Sequence, residues 1–184
     1  MNTRNNKRYD RPRLSPAKAI AFSSLMTALG VSILFIGSVI DTLDMSSAAI
    51  ASLLICVCVI ESGNKLAFSV YLATALLAFL ILPVKTAPFV YLIFFGYYPL
   101  LKRLFEKLPS FLSFALKFIS FNIAIFLFIF AAKELLFPDI EKVHFYLILL
   151  LNVILFTLDL AQSLFVVAYV KQFRRRLRLD RFFK

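Results

Sequence analysis

From Lys18 to Val170 the chain is almost continuously apolar, interrupted only by short polar turns. A hydrocarbon core about 30 Å thick takes roughly 17–25 apolar residues per helical crossing. Six stretches reach or approach that length: Lys18–Ile40, Ser46–Ile60, Leu66–Leu82, Pro88–Leu101, Phe111–Ala132 and Phe145–Val170. The pattern predicts an all-α polytopic membrane protein, one bundle of six transmembrane helices over residues 18–170. Basic tails flank it at residues 1–17 and 171–184. The fourth stretch is short and holds Pro99, whose ring removes a backbone donor, so it is expected to be tilted, broken or sheltered by its neighbours. The sixth is long enough to tilt or to project beyond the bilayer.

Composition agrees, with 61% hydrophobic and 17% charged residues and a mean hydropathy of +0.88. Such a chain cannot clothe a water-facing surface, so the lipid bilayer is its expected solvent. The charge adds direction. Arg4, Lys7, Arg8, Arg11 and Arg13 precede the first stretch, Lys65 follows the second, Lys102, Arg103 and Lys107 follow the fourth, and seven basic residues lie between Lys171 and Lys184. With six crossings these segments share one side, and basic residues beside membrane segments are retained in the cytoplasm. Both termini are therefore expected to be cytoplasmic. The net charge of +11 is then topological, and no nucleic acid is needed to explain it. The C-terminal run interleaves Phe173, Leu177, Phe182 and Phe183 with cations; it reads as a topological anchor, with a partner-docking tail as the alternative.

Ionisable and amide side chains are expensive within a bilayer and usually face the bundle interior. The fifth stretch offers Lys117 and Asn122, the sixth Asn152, Asp159 and Gln162. Lys117 and Asp159 fall in the same half of the membrane, which allows an interhelical pair. Alternatively, Lys117 snorkels to the interface and Asp159 bonds a nearby hydroxyl or amide. Asn122 and Asn152 lie nearer mid-membrane, where they either cross-link the two helices or orient a polar ligand. In the turn after the first stretch, Asp44 is placed to cap the second helix, whereas Asp41 has no such role and is open to a cation or a ligand amine. His144 stands alone at the mouth of the sixth stretch and reads as a boundary residue.

No catalytic chemistry is legible: no paired carboxylates at helical spacing within a span, no H-E-x-x-H, no G-x-S-x-G and no phosphate-binding glycine loop. The expectation is a protein that is not an enzyme and that takes no metal and no cofactor. Cys56 and Cys58, two residues apart in the second stretch, point to different helix faces and read as small apolar residues. The first segment is too long for a cleavable secretory signal and is expected to stay in the mature protein.

The first stretch carries small residues at helical spacing. Ala17, Ala21 and Ala28 share one strip, and Ala19, Ser23 and Thr27 form an adjoining one. Such a surface admits close approach of another helix, from within the bundle or from a partner. Six helices in this length, cytoplasmic ends, and the basic N-terminus leading into Lys18-Ala-Ile-Ala-Phe-Ser-Ser-Leu-Met-Thr-Ala-Leu-Gly30 resemble a substrate-binding S component of an energy-coupling factor (ECF) transporter. The resemblance spans most of the chain and is mainly architectural. It implies a bacterial inner-membrane protein that captures a vitamin, related precursor or metal ion. Transport would then need a membrane coupling protein with ATPases, docked on Ala17, Ala21 and Ala28. On that resemblance the substrate-binding candidates are Asp41, Lys85, Tyr91, Asn122, Tyr146 and Asn152, while Tyr97 and Tyr98 read as interfacial belt residues. The alternative is a non-transporting membrane subunit of a cell-envelope or rod-shape complex, acting as a docking scaffold without a ligand.

Overall fold

The computed structural model describes residues 15–40, 43–135 and 145–173. They form α1 (Pro16–Val39), α2 (Asp44–Glu61), α3 (Asn64–Ile81), α4 (Thr86–Val90), α5 (Tyr98–Phe105), α6 (Ser110–Leu135) and α7 (Phe145–Ala168). Two π-helical turns accompany them, Tyr91–Phe95 after α4 and Tyr169–Phe173 after α7. Among the described residues there is no strand. Asp41, the C-terminal run beyond Phe173 and His144 lie outside the described residues.

Five helices, α1, α2, α3, α6 and α7, are long and apolar enough to cross a membrane. Their outward faces carry Leu80, Phe111, Phe126 and Leu164, each at least 70% exposed. Apolar surface on that scale needs hydrocarbon around it, which is the make-up of a multi-pass membrane protein.

The fourth predicted span departs from a continuous helix. It is built from α4, a π turn and α5, and it is the most enclosed part of the bundle, with Ala87, Phe89, Val90, Tyr91, Phe94, Phe95 and Tyr98 all buried. Irregular backbone at membrane depth survives only where protein surrounds it and satisfies its polar groups. Here the Gly96 amide donates to the Tyr91 carbonyl at 2.7 Å, and the Tyr71 hydroxyl supplies the Leu92 carbonyl at 3.0 Å. Pro99 does not end the segment, as its place near the end of the apolar run implies. It stands in the first turn of α5, where a missing amide costs nothing, and so starts a helix.

Two glycines mark the tightest approaches. At Gly37 a side chain would run into Ser47 of α2, so α1 and α2 cross almost backbone to backbone. At Gly96 a Cβ would stand 2.6 Å from the Tyr71 ring and 2.9 Å from that of Tyr91. Between them the aromatic core continues through Phe89 and Phe94 on Phe128, at 5.7 and 4.9 Å between centroids, and Tyr98 on Phe121 at 5.0 Å.

The helices alternate in direction, and side-chain links fix both ends. At one end the Thr86 hydroxyl donates to the Asp44 carboxylate, tying α4 to the start of α2. At the other, Arg103 donates to the Val59 carbonyl at 2.7 Å and to Asn64 Oδ1 at 3.2 Å, and the Tyr169 hydroxyl to Glu61 at 3.4 Å. That second end carries Lys18, Lys65, Arg103, Lys107 and Lys171, and is called the basic end below. The start of α1 and the close of α7 both lie there.

Candidate functional site

Within the bundle, toward the basic end, three helices bring charges together. Tyr98 and Lys102 are one turn apart on α5, Asp159 and Ser163 one turn apart on α7, and Lys117 lies two turns into α6. These spacings put each pair on a single helix face. The Asp159 carboxylate accepts from the Tyr98 hydroxyl at 2.7 Å and from the Lys102 ammonium at 2.6 Å, both on Oδ1. Its Oδ2 accepts from Lys117 at 2.9 Å. Lys102 also donates to the Asp159 carbonyl and to Ser163 Oγ, each at 2.6 Å. The side chains of Lys102, Asp159 and Lys117 are only 6%, 12% and 14% exposed.

Burying an ion costs several kcal/mol unless its partners replace water. Asp159 replaces water for two ammonium groups at once, and a hydroxyl completes its shell. The Lys117–Asp159 pair is present, at 2.9 Å. Lys102 is missing from the sequence reading, which placed it in a cytoplasmic segment. Tyr98, read as an interfacial belt residue, is fully buried. The signals for both were the i, i+4 pairings Tyr98/Lys102 and Asp159/Ser163.

Two clefts reach this cluster. One, about 280 Å³, lies among α2, α5 and α7 and is lined by Cys56, Pro99, Lys102, Arg103, Glu106 and Ser163 together with aliphatic side chains. The other, about 330 Å³, lies where the α5–α6 turn meets α6 and α7, and is lined by Glu106, Leu108, Ser113, Phe114, Lys117, Phe156 and Asp159. Cys56 and Cys58 are buried free thiols. No group of three His, Cys, Asp or Glu side chains placed to hold a metal occurs among the described residues.

The remaining candidates that the structure describes have structural partners of their own. Lys85 donates to the carbonyls of Phe79 and Leu82, both at 2.6 Å, so it caps the end of α3, where those carbonyls lack partners. Tyr91 is fully buried, its ring 5.9 Å from that of Tyr71 and its hydroxyl without a hydrogen bond in the structure. Asn122 reaches Asn152 at 3.4 Å while each amide also donates to a carbonyl of its own helix, Phe118 at 2.9 Å and Ile148 at 3.0 Å. That is the cross-linking arrangement. Asp41 and the side chain of Tyr146 lie outside the described residues. Asp44 does not cap α2: the helix begins at Asp44 itself, after an N-cap at Leu43, and its carboxylate is taken by Thr86. A further α2–α7 link, Gln162 Nε2 to Ser52 Oγ at 3.2 Å, joins two fully buried residues.

Of the adjoining strip of α1, Ala19 and Thr27 are buried and Ser23 is half-buried. Gly30 is buried too, whereas Ala17, Ala21 and Ala28 face outward. Among the described residues the outward strip is exposed. Beside it, a groove of about 370 Å³ between α1 and α3 is lined by Ser23, Ser24, Thr27, Ala28, Ser69 and Ala73, with Val70 and Leu77. Ser23 Oγ in this groove has no hydrogen-bond partner.

No protein-family model, no curated protein and no solved structure matches this chain.

Proposed function

We propose that this chain is a multi-pass membrane subunit that works together with another membrane protein, docked on α1. The observation that carries the reading is the outward strip Ala17, Ala21 and Ala28, continuous with the small, hydroxyl-lined groove between α1 and α3. Lipid gains little from such a surface, while a second helix gains close van der Waals contact and hydrogen bonds from serine. The gathering of cations at the end where α1 begins and α7 closes favours a cytoplasmic position for both termini, and the resemblance to ECF S components adds a bacterial inner-membrane location.

The resemblance to ECF S components gives the fuller form of this reading: capture of a small solute for uptake, with an energising module of coupling protein and ATPases as the partner. A second form, a docking scaffold of a cell-envelope complex, is favoured by a different observation. Lys85, Tyr91, Asn122 and Asn152 are engaged in capping, packing and cross-linking. The test is a photo-reactive side chain at Ala21 in native membranes, with one at Leu164, exposed on α7, as the control. Docking predicts a specific cross-linked protein from position 21 and none from 164. ATPases in the captured complex support the transport form, and envelope-assembly proteins the scaffold form; cross-linking no greater at 21 than at 164 overturns the docking surface.

A further inference from the structure

Two hydroxyls on α1 stand without partners where the bilayer has nothing to offer them. Ser23 and Thr27 are one turn apart and line the groove of about 370 Å³ between α1 and α3. Ser23 Oγ is buried and makes no hydrogen bond. Thr27 is 8% exposed and makes none among the described residues. A hydroxyl within a membrane helix ordinarily turns back on the carbonyl three or four residues before it. Elsewhere this chain follows that habit. Ser32, in α1 itself, donates to the Ala28 carbonyl at 2.9 Å, and Ser69, on the opposite wall of the groove, to the Lys65 carbonyl at 3.3 Å. Thr157 and Ser163 do the same on α7, at 2.9 and 2.8 Å. Ser23 and Thr27 keep their donors unused. At a rise of 1.5 Å per residue they lie about 10 and 16 Å along α1 from its start, at a depth that hydrocarbon occupies. Acyl chains carry no acceptor, so only a neighbour with an oxygen of its own can satisfy them.

We propose that the occupant of this groove is a transmembrane helix of the partner protein that inserts a neutral polar side chain, an amide or a hydroxyl, against Ser23 and Thr27. The inference rests on the docking reading and adds the chemistry that the docked helix must bring, an oxygen that accepts from one or both hydroxyls. The lining of the groove selects for it. No ionisable side chain is among the lining residues, so a charged group entering the groove would find no counter-charge there. A purely apolar side chain would leave both hydroxyls unpaired. The outward strip Ala17, Ala21 and Ala28 beside the groove lets a helix approach closely enough for a short polar side chain to reach them. Because neither hydroxyl bonds within the bundle, the isolated chain loses nothing when both are removed.

The experiment places the photo-reactive side chain at Ala21 of the full chain in native membranes, with and without Ser23→Ala/Thr27→Val, and maps the residue it captures. Removing both hydroxyls is expected to lower the yield of cross-linked protein roughly tenfold, the worth of two interhelical hydrogen bonds of ordinary strength in a membrane. Thr27→Ser, which keeps a hydroxyl, is expected to retain the yield. The captured residue is expected in a transmembrane helix, within one turn of an Asn, Gln, Ser or Thr. Purified in detergent, the double variant is expected to unfold at the wild-type temperature or above it. A lower temperature means that the hydroxyls serve the bundle, and overturns the proposal. An undiminished yield from the double variant, or capture on a helix with no such side chain, overturns it and leaves docking on α1 standing. Adducts with lipid alone, or a yield at Ala21 no greater than at Leu164, remove the docking reading and this inference together.

Discussion

Asp159 is the residue on which the interior most depends. Replacing it with Asn leaves Lys102 and Lys117 without a counter-charge, and breaking a buried pair in this way costs about 3–5 kcal/mol. Asp159→Asn is therefore expected to unfold at markedly lower temperature or to fail to accumulate in membranes. Lys117→Gln, which removes the surplus cation and leaves Lys102 paired, is expected to cost far less. Comparing the two variants by thermal unfolding in detergent checks the ranking, and equal losses would contradict it. Gly96 is the steric counterpart. An added methyl there meets the Tyr71 and Tyr91 rings below 3.0 Å, and overpacking of this kind costs about 1–3 kcal/mol. Gly96→Ala should lower the unfolding midpoint, while Ala at exposed Leu80 should leave it almost unchanged. Part of this scale was legible in the sequence. Lys117 and Asp159 stood out because charges within apolar runs are rare. Lys102 did not, because Lys102-Arg103 with Glu106-Lys107 reads like any polar loop after a span, and burial there is decided by how α5 docks on α7.

At the scale of elements, the segment from α4 to α5 is where helical periodicity and actual backbone part company. Its apolar run and Pro99 announced an irregular helix, but the π turn and the restart at Tyr98 depend on tertiary partners: the Tyr71 hydroxyl on the Leu92 carbonyl and the ring stack around Gly96. Removing that hydroxyl with Tyr71→Phe leaves a buried carbonyl short of a donor, at a cost of about 1–3 kcal/mol. Faster hydrogen exchange confined to Leu92–Leu100 is the expected readout; exchange that rises evenly across the bundle would place the weakness elsewhere. The α6–α7 link through Asn122 and Asn152 carries a smaller share. Asn152→Leu should cost about 0.6–2 kcal/mol while keeping the fold. In the sequence these two amides were equally compatible with a ligand, since spacing gives their depth in the membrane but not their distance of 3.4 Å.

For the whole molecule, hydrophobic run lengths were enough to give the helical class and most spans, because the bilayer fixes how long a crossing must be. Which face of α1 turns outward was not legible. Both strips of α1 are made of small residues, and only the packing of the bundle decides that Ala19 and Thr27 go inward and Ala17, Ala21 and Ala28 outward. On the docking proposal, that outward strip is the face a neighbouring helix covers. The most direct test is native mass spectrometry of the tagged protein, gently extracted from its own membrane, beside an Ala21→Trp/Ala28→Trp variant of equal thermal stability. Docking on α1 predicts a stoichiometric membrane partner with wild type that is lost from the variant. Wild type emerging alone, or the same partner retained by both, would contradict it.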